Sequence, residues 1–177
     1  MMAWYNHKVR ADERGAAIIE LALIAPILAL LMIGIVDMSN AYSRKLALEQ
    51  GAQRAIEKIM QTTGSTTVEQ TLTSEAVCQV NGLNPDGSCK TSPISASNVT
   101  ITWRVDCTDP TSGAMVSQVL ATSATADATN CGTMKMARYI QIALTDQYVP
   151  MFPIHFAEFT SSDGTYHLAA TAGMRTE

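Results

Sequence analysis

Hydrophobic positions follow three regimes along this chain. Residues 16–36 are all apolar or small except Glu20. At ~1.5 Å per residue a helix of that length spans ~30 Å, the thickness of one bilayer core. A secretory signal predicts a shorter apolar stretch, roughly 7–15 residues, closed by a small-residue cleavage site. Here the run passes straight into a polar helical sequence, so it is expected to be an anchor. Beyond Asp37 apolar residues recur at Met38, Tyr42, Leu46 or Leu48, Ala52, Ile56 and Ile59, in steps of mostly three and four that mark a helix with one apolar face. One helix is therefore expected over residues 16–60, about 65–70 Å long. The sequence Gln61-Thr62-Thr63-Gly64-Ser65 ends it.

After residue 64 the period changes. Thr67-Val68-Glu69-Gln70 has the form of a capping box ahead of Val68, Leu72, Ala76 and Val80, and a second helix is expected to run to about Gln79. Strict alternation then takes over. Val99, Ile101, Trp103 and Val105 alternate with Thr100, Thr102, Arg104 and Asp106, a half-buried strand with Trp103 on the core side. Ile140, Ile142 and Leu144 give a second strand, and residues 165–174 a weaker third. Segment 112–129, rich in Ser, Thr and Ala, is expected to be a surface excursion, with a short helix near residues 115–120 as the alternative. Pro150 and Pro153 flank Met151-Phe152 and bar a regular strand there. A long helix followed by a small antiparallel sheet defines the α+β class.

The charged flanks orient the span. Lys8, Arg10 and Arg14 precede it, and the next bases, Arg44 and Lys45, lie well beyond it. The positive-inside rule then keeps residues 1–15 in the cytoplasm as a leader and exports residues 61–177 to the periplasmic or extracellular side. Pro26 removes a helical hydrogen bond inside the span and is expected to kink or loosen it, although membrane helices also tolerate proline.

Composition narrows the chemistry. The 177 residues are 16% charged and 6% aromatic with a net charge of −4, a mildly acidic balance that argues against nucleic acid. Cys78, Cys89, Cys107 and Cys131 all follow the span and form no C-x-x-C pair, so disulfides in an oxidising compartment are expected rather than zinc. Three connectivities are possible. Pairing Cys78 with Cys89 and Cys107 with Cys131 is favoured because each closes a local loop rich in turn residues, and each bridge is worth roughly 3 kcal/mol. His155, Glu158, Asp163 and His167 have no metal-ligand spacing. Ser161-Ser162-Asp163-Gly164 is a turn signal without the G-x-S-x-G context of a nucleophile. No P-loop or dinucleotide fingerprint appears, the ten methionines read as packing, and neither cofactor nor enzymatic activity is expected.

Glu20 is the exception that needs a reason, since an acid within a span costs roughly 2.5–3.5 kcal/mol at the centre and less near an end. One account has its side chain reaching back to the interface beside Arg14. The other has the chain cut after Gly15, so that Ala16 carries a new α-amino group able to neutralise Glu20 and set an axial register between packed helices.

The order of a basic residue, Gly15, four small or apolar residues, Glu20 and an apolar helix resembles the processing site of type IV pilin precursors. More narrowly, RGAAIIELALIAPILALLMIGIVDMSNAYSRKLALEQGAQRA resembles the TadE-like minor pseudopilins of tight-adherence, Flp-type pilus systems, with Arg14, Gly15, Glu20, Pro26 and Asp37 in the family's places. The ending AATAGMRTE is similar to the family's closing strand and tail. The resemblance implies a pilin-like exported domain, cleavage between Gly15 and Ala16 by prepilin peptidase, Glu20 as the register residue and Pro26 as a point of local flexibility. It also implies partners among other pilins, pseudopilins and the pilus assembly platform. Leu21 stands where the major pilins of these systems carry tyrosine, which points to a minor subunit. The alternative function is an uncleaved single-pass inner-membrane protein with a periplasmic binding domain.

Overall fold

The computed structural model describes residues 14–61, 68–152 and 161–176. Residues 1–13 of the expected leader, Thr62 to Ser65, Thr67 of the capping box, Pro153, His155 and Glu158 lie outside them. Helix α1 (Arg14–Gln61) runs through Pro26 without a break, and α2 (Val68–Asn81) follows it. A 3₁₀ turn (Ala96–Asn98) leads into β1 (Val99–Thr108), then β2 (Met115–Leu120), α3 (Ser123–Ala128), β3 (Lys135–Tyr148) and β4 (Tyr166–Arg175). The four strands form one antiparallel sheet in the order β2-β1-β3-β4, so the fold is α+β.

The expectation for residues 115–120 is corrected. Neither a short helix nor a loose excursion stands there; the segment is a fourth strand, with Trp103 opposite Leu120 and Thr108 opposite Met115. The cause is a compact turn at residues 109–113. Asp109 Oδ1 accepts from the amides of Thr111 and Ser112 at 2.7 and 3.2 Å, and the Asp109 amide donates to the Ala114 carbonyl at 2.9 Å. Gly113 takes the positive φ of 72° that closes the turn. The helix in this region comes later, as α3, with Thr122 at its N-cap accepting from the Thr125 amide.

Alternation along the strands fixes which side is covered. Ile101 pairs with Ile142 and Trp103 with Ile140, while Ile142 faces Ala172 and Leu144 faces Ala170. That face packs on the outer half of α1, whose buried positions are Asp37, Ala41, Leu48, Gly51, Ala52, Ala55, Ile56 and Ile59, spaced for a single helical stripe. Leu48, Leu72, Ile94, Ile140, Ile142 and Leu144 are fully buried, each worth about 1.5–3 kcal/mol relative to exposure. Gly51 lets α2 approach α1: a Cβ there would stand 2.5 Å from Val80 Cγ2 and 3.2 Å from the Ala76 carbonyl oxygen.

Polar ties complete the frame. Asn81, buried at the end of α2, donates to the carbonyls of Lys90 and Ile94 at 2.8 and 2.7 Å and accepts from the Ile94 amide at 3.0 Å. Disulfides join Cys78 to Cys89 and Cys107 to Cys131. The second lies in a separate small cluster with Val105 and Ala126, and Trp103, half-buried, packs against both cores.

Candidate functional site

Two regions of α1 carry chemistry. The first is its amino-terminal part. From residue 17 to 32 every residue is exposed, although the sequence there is almost wholly apolar. Among the described residues α1 is the one helix long and apolar enough to cross a membrane. Among the described residues nothing lies within 4 Å of where a Cβ at Gly15 would stand. Ala16 continues the helix, and Glu20 is exposed one turn further on, making no hydrogen bond or ion pair among the described residues. An apolar helix with one carboxylate and no cover among the described residues calls for either lipid or other helices around it.

The second region is the junction where α1 meets the sheet. Asp37, one residue past the apolar run, is buried. Its Oδ1 accepts from the Met151 amide at 2.9 Å and from the Tyr148 phenol at 3.5 Å, and its Oδ2 from the Phe152 amide at 3.2 Å. A carboxylate receiving amide donors this way satisfies its charge without a base. Pro150, directly before Met151, bars the strand from continuing and leaves these amides out of the ladder and free to donate. Burial pushes the Tyr148 phenol above its ordinary range, and the neighbouring Asp37 carboxylate acts in the same direction.

Two turns further along α1, Arg44 pairs with the buried Asp146 at 3.5 Å, whose other oxygen accepts from the Gln147 amide at 2.8 Å. Asn40, between them, points its amide at Met151 Sδ, 3.6 Å away. The sequence flags Asp37 as the end of the span but gives no sign that it receives a segment 114 residues distant. Arg44 and Asp146 carry no local signal at all.

Elsewhere the chemistry is thin. Asp163 and His167 form a pair at 2.8 Å beside a turn, and among the described residues no group of three metal-capable side chains converges. The uncovered face of the sheet holds a shallow groove of about 540 Å³, walled by Arg104, whose guanidinium lies 4.5 Å above the Tyr139 ring.

No curated protein and no solved structure matches this chain. Residues 15–56, which contain the bare apolar helix, Glu20, Pro26, Asp37 and Arg44, match the family described as TadE-like protein.

Proposed function

We propose that this chain is a structural subunit for assembling a tight-adherence pilus, a minor pseudopilin held in the inner membrane by α1 with residues 1–15 in the cytoplasm and residues 61–177 as one exported domain. The observation that carries this reading is the bare helix itself: an apolar surface over residues 17–32 that is exposed and uncovered among the described residues, within the stretch that matches the TadE-like family. Prepilin peptidase cuts between Gly15 and Ala16; among the described residues none lies within 4 Å of a Cβ built at Gly15. The new amine then compensates Glu20, on its own or a neighbouring subunit, and fixes the axial register of packed helices. Pro26 supplies local flexibility, and the disulfide-braced domain meets other pilins, pseudopilins and the assembly platform. The role is structural and not enzymatic.

The test is the intact mass and amino-terminal sequence of the chain from its host, with and without the host's prepilin peptidase. A start at Ala16 that reverts to the full leader without the peptidase supports the reading. A leader retained in both cases overturns the processing step and favours an uncleaved anchored binding protein. Glu20→Ala is expected to leave membrane insertion intact and abolish incorporation into pili, as followed by immunoblotting of sheared filaments.

A further inference from the structure

The geometry points to a second contact with the membrane: the turn that follows β3 docks on the lipid headgroup surface at the end of the span. Three observations on different elements place it there. Asp37 is the residue next to the last apolar position of the run, so its carboxylate stands at the edge of the hydrocarbon. The polar headgroup layer adds only ~5–7 Å beyond that edge. The Met151 and Phe152 amides are bonded to that carboxylate, which holds the turn at the same depth. Among the described residues the side chains this turn leaves uncovered are apolar, Val149 at 69% and Met151 at 68% exposure.

The flank of α1 at this level has matching chemistry. Met38 and Tyr42 are exposed and line an apolar groove of about 190 Å³ with Lys45 and Tyr166. Helical side chains tilt toward the helix amino terminus, which here is the membrane, so the exposed Lys45 leans back toward lipid phosphates while its stem covers apolar surface. Tyrosines and a base beside exposed aliphatic groups, at the rim of a span, are the composition of an interfacial anchor. Met38 carries the exposed apolar surface of the span into this groove, while Val149 and Met151 flank α1 at the same level beside Asn40, Ser43 and Arg44. Apolar side chains on both flanks at the rim of the span, with Lys45 and Arg44 placed to meet lipid phosphate, select the bilayer as the occupant. This inference rests on α1 spanning a membrane, and on neither cleavage nor pilus assembly.

Methionines supply their own probes. Met32 in the span, Met151 in the turn, and Met115 and Met60 at the far end of the domain have similar exposure, 69%, 68%, 63% and 62%. The full chain is placed in nanodiscs at one chain per disc and treated with chloramine-T, a charged oxidant that stays in water. Sulfoxide formation is read by mass spectrometry and normalised to the denatured chain. Met151 is expected to oxidise roughly tenfold more slowly than Met115 and Met60, with protection close to that of Met32. If Met151 oxidises as fast as Met115 while Met32 stays protected, the docking is overturned and the span stands. If Met32 oxidises too, the span itself fails and the docking with it. Protection that appears only with several chains per disc assigns the patch to a second copy and also overturns the proposal.

Discussion

The Met151 amide donates a 2.9 Å hydrogen bond to Asp37 Oδ1 across 114 residues of sequence, joining the turn that follows β3 to the first residue beyond the apolar run. Replacing this acceptor is expected to free the turn without unfolding the sheet. In Asp37→Ala the Met151 and Phe152 amides should exchange about 10–100-fold faster, the equivalent of the ~1.5–3 kcal/mol of a charge-assisted bond. Asp37→Asn, which keeps one acceptor oxygen, should show a smaller change. Hydrogen exchange with mass spectrometry reads both, and unchanged protection in Asp37→Ala would sink the assignment.

The pair of Arg44 and Asp146 should behave as a charge that needs its partner. Arg44→Met leaves Asp146 buried and unpaired, at a cost of about 1–2 kcal/mol, less than a fully buried pair because Arg44 is partly solvated. Arg44→Met combined with Asp146→Leu should recover most of that loss. Denaturant unfolding in detergent of the parent, Arg44→Met, Asp146→Leu and the double variant, followed by tryptophan fluorescence, gives the comparison; additive losses would show that the two residues act independently.

Gly51 is expected to be intolerant of a branched side chain. Gly51→Val drives new methyl groups into Val80 and the Ala76 carbonyl and should cost about 1–3 kcal/mol by overpacking. The double variant Gly51→Ala with Val80→Ala makes room and adds helix propensity, worth up to about 1 kcal/mol at this position. If Gly51→Val melts at the parent temperature, the close approach of the two helices is not what the glycine serves.

A pH titration addresses the turn before β4. The His167 hydrogen bond, followed by the Thr165 amide and hydroxyl, holds the Asp163 carboxyl down from 3.8 to about 2. Because the folded value is depressed, the stabilisation of this turn is complete above the ordinary carboxylate range and is lost as pH falls through about 2. Carbon NMR of the side-chain carboxyl should give a midpoint near 2 in the parent chain, moving up toward the ordinary value in His167→Ala. A midpoint that ignores His167→Ala would remove the pair from the account.

Local rules read some of these elements and not others. The extended run of apolar residues and its three-to-four spacing beyond Asp37 gave α1 almost to its ends, because a helix is dictated by neighbours in sequence. The alternations around Trp103 and Ile142 gave β1 and the centre of β3 for the same reason. Strand β2 went unread: Met115 to Leu120 has no strict alternation and is a strand only because β1 offers it an edge. Its one local signal was the turn Asp109-Pro110-Thr111-Ser112-Gly113, whose Asp and Gly are placed to reverse the chain. The junction at Asp37 was legible on one side alone. An acid closing an apolar run is visible in sequence, whereas its donors are backbone amides that follow Pro150 far along the chain, and no side-chain pattern reports a backbone donor.

The attachment of α1 to the sheet has a mechanical consequence. Stepping outward along α1 through Asp37, Arg44 and Gly51 meets Met151, Asp146 and Leu144 in turn, so helix and strand lie side by side with opposite chain directions. Tension drawn along the helix from the membrane therefore loads these contacts in shear, all together, instead of peeling them one after another. The helix and domain should thus yield at a higher force when pulled along α1 than when β4 is pulled away from the sheet edge, a contrast that single-molecule force spectroscopy with handles at the two positions measures directly. A subunit drawn out of a bilayer by its helix would carry its folded domain with it.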